Sequence, residues 1–144
     1  MDFSDDGNAI VEFVWLAVLL MVPLVYLLLT VFRVQSASYA VSSATREAGR
    51  VFVTAPDSGT GHRRALESAA LVMHDAGLRL DPGQVRITCS ATPCLTPGAR
   101  VDIEIGYDTT LPFVPELFGR HRTASVHVTG RHLEVVDRYR PARP

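Results

Sequence analysis

Asp5-Asp6-Gly7-Asn8-Ala9-Ile10-Val11-Glu12-Phe13 opens an apolar run that meets no further charge until Arg33. Residues 13–32 alone span a hydrocarbon core of roughly 30 Å at about 1.5 Å of helical rise per residue. Ala9, Ile10 and Val11 extend the apolar character on the other side of Glu12. This length and composition predict a helix that inserts in a membrane. A carboxylate inside such a segment costs about 2.5–3.5 kcal/mol near the bilayer centre and less near its edge, so Glu12 calls for a functional explanation. Trp15 near one end and Tyr26 and Phe32 toward the other suit interfacial positions. Pro23 removes one helical hydrogen bond and is expected to kink or loosen the segment.

With 144 residues there is room for one membrane helix and one small soluble domain. The net charge is -1 and the charges are interspersed, which argues against nucleic acid as a partner. No internal repeat or low-complexity tract is visible.

Beyond Arg33 the residues Val34, Ala37, Val41, Ala44, Ala48, Val51 and Ala55 follow steps of 3, 4, 3, 4, 3 and 4. Polar residues from Gln35 to Arg50 fill the intervening positions, so the helix is expected to continue as an amphipathic rod. From about Ile10 to Ala55 it would measure roughly 69 Å. Pro56 and Asp57-Ser58-Gly59-Thr60-Gly61 are expected to end it. Two uses of the Ala/Val seam stay open, cover for the domain's own sheet and contact between subunits.

His62 to Ala76 reads as a second, short helix with Leu66, Ala69, Ala70 and Met73 on one face and Gly77 as its stop. Asp81-Pro82-Gly83 signals a turn. Three alternating runs follow: Val85, Ile87 and Cys89; Val101, Ile103, Ile105 and Tyr107; and Ala124, Val126 and Val128. Leu133, Val135 and Val136 either continue the last strand or add a short fourth. The expectation is an α+β chain in which a small antiparallel sheet packs on the long helix. Leu111-Pro112-Phe113-Val114-Pro115-Glu116-Leu117-Phe118-Gly119 reads as a proline-broken loop, either folded over the sheet edge or used as a subunit contact.

Cys89 and Cys94 are the two cysteines, with four residues between them. Two cysteines are too few for a structural zinc site, and the spacing is not that of a redox Cys-x-x-Cys. A small-loop disulfide in an oxidising compartment fits best, which puts the C-terminal domain outside the cytoplasm.

Catalytic and metal-binding patterns are weak. His127 and His132 lie five apart on an expected strand and should face opposite ways, while His62, His74 and His121 fall on separate elements. Ser125, His127 and Asp137 can be arranged as a triad only on paper, without a nucleophile-elbow motif. No phosphate-binding glycine loop is present. The reading assigns no catalytic residue, metal or cofactor.

The Gly7 to Phe13 stretch resembles a class III signal peptide of the type IV pilin kind. That resemblance implies cleavage by a prepilin peptidase between Gly7 and Asn8, with Glu12 as the fifth mature residue. Ser43-Ala44-Thr45-Arg46-Glu47-Ala48-Gly49-Arg50 resembles the Arg-Glu-Gly-Ala-Arg signature of TadE-like pilins, with glycine and alanine transposed. The tail Gly130-Arg131-His132-Leu133-Glu134-Val135-Val136-Asp137-Arg138-Tyr139-Arg140 is similar to that of actinobacterial members.

Taken with the helix pattern, the resemblance implies a leader over 1–7, a membrane helix over 8–33, its extracytoplasmic continuation over 34–55 and a small pilin-like domain over 56–144. It implies a minor pilin acting in tight-adherence pilus biogenesis at the cell membrane. Its partners would be the prepilin peptidase, the major pilin, other minor pilins, the assembly platform and the lipid bilayer, and Glu12 would set assembly register.

Other readings use the same residues. Ser38-Tyr39-Ala40 could serve an ordinary secretory signal, but the apolar core exceeds the usual length of about 7–15 residues. An unprocessed single-pass protein with an outer binding module would keep the leader, whose Asp2, Asp5 and Asp6 lack the usual basic companions. Arg33, Arg46 and Arg50 would by charge alone place the C-terminal side in the cytoplasm, against the cysteines. A secretion-system pseudopilin would share the helix without forming a long fibre.

Overall fold

The computed structural model describes residues 6–110, 125–139 and 141. It shows an α+β chain with a long first helix, α1 (Asp6–Thr54), and a second, α2 (Ser58–Asp75). A single 3-10 turn (Pro82–Gln84) leads into β1 (Val85–Cys89), β2 (Arg100–Thr110) and β3 (Ser125–Val135). The three strands form one antiparallel sheet in the order β1-β2-β3. By contact the chain divides into two compact units, Met1–Arg33 and Val34–Pro144.

In the first unit, residues 10–32 of α1 keep their apolar side chains exposed, with only Tyr26 and Thr30 half-buried. This stretch is long and apolar enough to cross a membrane. Pro23 lies inside the helix, which runs on past it without a break.

The second unit is built around the alanine seam. Ala37, Val41, Ala44, Ala48 and Ala55 are fully or almost fully buried. The seam therefore serves the chain's own core, the first of its two open uses. At its end the stripe shifts by one residue: Phe52 is buried and Val51 half-buried. Around the seam pack Ala65, Ala69 and Met73 of α2 and Val101, Ile103 and Ile105 of β2. Alanines on α1 let backbones approach, and the larger side chains of the facing elements supply most of the buried apolar area.

α2 begins at Ser58, four residues before the expected start. The Asp57 carboxylate accepts a hydrogen bond from the Thr60 N–H at 2.8 Å, an N-cap that turns an apparent loop into a first helical turn. Its buried line is Gly61, Ala65, Ala69 and Met73, with Leu66 and Ala70 at the margin. Gly77 ends it as expected, at φ +73, with its N–H bonded to the His74 carbonyl and the Leu78 N–H to the Met73 carbonyl. That paired cap favours glycine because the left-handed region costs other residues a Cβ clash.

β3 decides between the two readings of the C-terminal strand in favour of continuation. It is one strand through Val135, and Val126, Val128, Gly130, His132 and Glu134 share the inner side. Leu133 and Val135 are consequently turned outward and about half exposed. Val136, just past the strand, is fully buried and takes part in two backbone bonds with the Gly98–Ala99 turn. The expected loop over 111–119, together with His121 and Ala124, lies outside the described residues.

Candidate membrane and assembly surface

Gly7 and Asn8 fall in the first turn of α1. Glu12 follows one turn on, exposed among apolar neighbours, with no hydrogen bond or ion pair among the described residues. Helical geometry places residues 8, 12, 15, 19, 23, 26, 30 and 33 within an arc of roughly 80°. Every polar or ionisable side chain between Ala9 and Arg33 falls on that arc: Glu12, Trp15, Tyr26, Thr30 and Arg33 itself. Thr30 donates its hydroxyl proton to the Tyr26 carbonyl at 2.9 Å. Pro23 has no N–H to offer the Leu19 carbonyl. The membrane-length helix thus has one polar stripe and an otherwise apolar circumference.

Cys89 and Cys94 form a disulfide with Cα atoms 5.3 Å apart. It closes the turn after β1, where the Ser90 N–H bonds the Arg100 carbonyl at 2.9 Å and the Arg100 N–H bonds the Ser90 hydroxyl at 2.8 Å. The same turn holds the tail: the Val136 N–H donates to the Ala99 carbonyl and the Gly98 N–H to the Val136 carbonyl. The covalent link lies in the connection between β1 and β2 whose later residues, Gly98 and Ala99, hold Val136.

The outer face of the sheet carries paired charges. The Arg131 guanidinium grips the Asp102 carboxylate across β2 and β3, with Nε 2.9 Å from both oxygens. That contact holds the Asp102 carboxyl below its usual range. His127 Nδ1 lies 2.8 Å from Asp108 Oδ1, its cross-strand partner. The triad drawn from Ser125, His127 and Asp137 does not assemble, since His127 is engaged by Asp108 and the Asp137 carboxylate accepts the Tyr139 N–H. The His127–Asp108 pair escaped the sequence reading, although directly opposed positions on neighbouring strands were its available signal.

His127 is exposed on the outer side and His132 half-buried on the inner, the opposite facing expected from their spacing. His132 Nε2 lies 3.0 Å from Glu134 Oε1, beneath Gly49 of α1. No group of three or more potential metal ligands occurs among the described residues. No family model matches the chain, and neither a curated protein nor a solved structure matches it.

Proposed function

We propose that this chain is a minor pilin of the TadE-like kind, inserted as a single-pass precursor and acting in tight-adherence pilus assembly. One observation carries the reading: a single helix, Asp6–Thr54, supplies both a membrane-length surface marked by Glu12 and the spine of a small sheet domain. The first part leaves its apolar side chains exposed, and the second is consumed by the domain's own core.

In this reading a prepilin peptidase cuts between Gly7 and Asn8 and exposes a positively charged amine. In a low-dielectric bundle an unpaired Glu12 carboxylate is costly, so pairing with the amine of a neighbouring subunit favours one axial register over slipped ones. The Cys89–Cys94 disulfide supports an extracytoplasmic C-terminal domain, because such bonds persist in oxidising compartments. The role is structural, with the major pilin, other minor pilins and the assembly platform as partners.

Substituting Glu12→Val tests the function. The variant is expected to insert in the membrane at normal level and to fail in pilus assembly. Wild-type piliation in that strain would remove Glu12 from the account. An unprocessed membrane protein is the second reading, and the acidic leader with Asp2, Asp5 and Asp6 is what favours it.

A further inference from the structure

From Thr88 to Ala99 the chain carries no charge, and the stretch holds four hydroxyls and two prolines. It runs from the end of β1 through the connection to β2, with the Cys89–Cys94 disulfide closing its first part. Thr88 donates to the Asp102 carbonyl at 3.5 Å, Thr96 donates to the Pro93 carbonyl at 2.6 Å, and Ser90 accepts the Arg100 N–H at 2.8 Å. Three of the four hydroxyls are thus in use. Thr92 is the fourth. It is exposed within the disulfide loop, and its hydroxyl has no partner among the described residues.

Few side chains of this domain can accept a covalent group. The chain has no lysine, its one asparagine is Asn8, and both cysteines are spent in the disulfide. Hydroxyls remain. The other exposed and unengaged aliphatic ones among the described residues beyond Arg33 are Ser36, Ser38 and Ser43 on α1 and Thr110, Ser125 and Thr129 on the strands. There the backbone is held in a helix or a ladder, and an enzyme that threads an extended segment cannot draw it out. Thr92 lies in irregular backbone before Pro93, which has no N–H to tie into a ladder. Hydroxyl-rich stretches with proline are also the composition that carries O-linked sugar.

We propose that Thr92 is an O-glycosylation site that takes a hexose from a polyprenyl-phosphate donor in the membrane. Nucleotide sugars stay in the cytoplasm, so transfer on the outer side draws on a lipid-linked sugar. Thr92 Oγ1 attacks the anomeric carbon, and the bond from that carbon to the phosphate oxygen breaks. Polyprenyl phosphate leaves with the electron pair, and the hydroxyl proton passes to a base of the transferase. The added group is bulky and solubilising, so it hydrates an uncharged loop and shields it from protease. The site uses one part of the reading above, the extracytoplasmic placement of the domain. It needs neither cleavage at Gly7 nor assembly through Glu12.

The full chain would be purified from membranes of its own host, reduced and digested with trypsin, which releases residues 87–100 with all four hydroxyls on one peptide. The expected peptide is heavier than its sequence by whole hexose units, and electron-transfer fragmentation places the sugar on Thr92. Thr92→Ser should retain the added mass at least in part, and Thr92→Val should lose it all. The wild-type spectrum locates the sugar by itself, whatever the variants do to folding. An unmodified wild-type peptide, or sugar on a different residue, would overturn the site.

The N-terminal mass of the same material separates the two ideas. Glycosylated Thr92 on chains that retain Met1 would keep the site and remove the processed-pilin reading. Bare Thr92 on chains that begin at Asn8 would do the reverse.

Discussion

Gly130 of β3 lies directly against Val41 of α1. A Cβ at 130 would stand 2.6 Å from Val41 Cγ1 and 3.1 Å from the Val41 carbonyl oxygen. Only a residue without a side chain allows the helix to come this close to the strand. The contact also sets the parity of β3: with Gly130 inward, His132 and Glu134 are inward and Leu133 and Val135 outward.

Gly130→Ala is therefore expected to destabilise the domain by about 1–3 kcal/mol, since Val41 is β-branched and backbone atoms also block the space. Gly49→Ala should cost less. Its nearest obstacle, at 2.7 Å, is Cγ of the half-buried Glu134 side chain rather than backbone, and alanine in a helix recovers up to about 1 kcal/mol relative to glycine. Chemical unfolding of the detergent-solubilised chain, followed by near-ultraviolet circular dichroism, gives the comparison. Equal midpoints for Gly130→Ala and wild type would refute the close approach.

The shift of the buried stripe at the end of α1 gives a second test. Phe52→Ala should cost about 3–5 kcal/mol, the range for a buried aromatic cut to alanine. Val51→Ala, one position away on the half-buried margin, should cost clearly less. Reversed magnitudes in the same unfolding assay would restore the unbroken heptad seam and contradict the packing of Phe52.

Asp102 links stability to acid. Its carboxyl is held below its ordinary value near 3.8, first by the hydrogen bonds from Arg131 and then by that residue's charge. A depressed folded-state pKa means the unfolded chain binds the proton more readily. The contribution is thus fully present above the unfolded value and is lost as pH falls through the folded one. Wild type should lose melting temperature below about pH 4 more steeply than Asp102→Asn. Parallel acid limbs for the two proteins would show that the pair carries no linked stability.

Removing the disulfide with Cys89→Ser and Cys94→Ser together should lower stability by about 2 kcal/mol, the scale for a loop this short. The Gly98–Ala99 turn and Val136 should then become more accessible to protease, because the pinned turn holds the tail. In intact cells the wild-type thiols should resist maleimide until a reductant is added. Labelling of both cysteines without reductant would place the domain in a reducing compartment and contradict the proposed topology.

Much of the architecture was legible in the residues. The Ala37, Val41, Ala44 and Ala48 spacing marked the buried face of α1, because a helix covering a sheet repeats its apolar contacts every three or four residues. Alternation located β1 and β2 for the corresponding reason. Gly77 announced the end of α2. The apolar run and the lone Glu12 marked the candidate membrane surface without any tertiary information.

What remained hidden depended on contacts distant in sequence. Nothing local fixes which face Leu133 and Val135 take; Val41 against Gly130 decides it, and that meeting brings together residues far apart in the chain. The start of α2 was obscured because Gly59 and Gly61 resemble a loop. The Asp57 cap and the packing of Gly61 against Phe52 outweigh their low helix propensity.

The most direct test of the whole account is the N-terminal mass of the protein recovered from membranes with and without the host's prepilin peptidase. The account predicts a chain beginning at Asn8 when the peptidase is present and one retaining Gly7 when it is absent. A chain that keeps Asp5, Asp6 and Gly7 in both strains would contradict it, leaving an anchored domain whose Glu12 has no amine to meet.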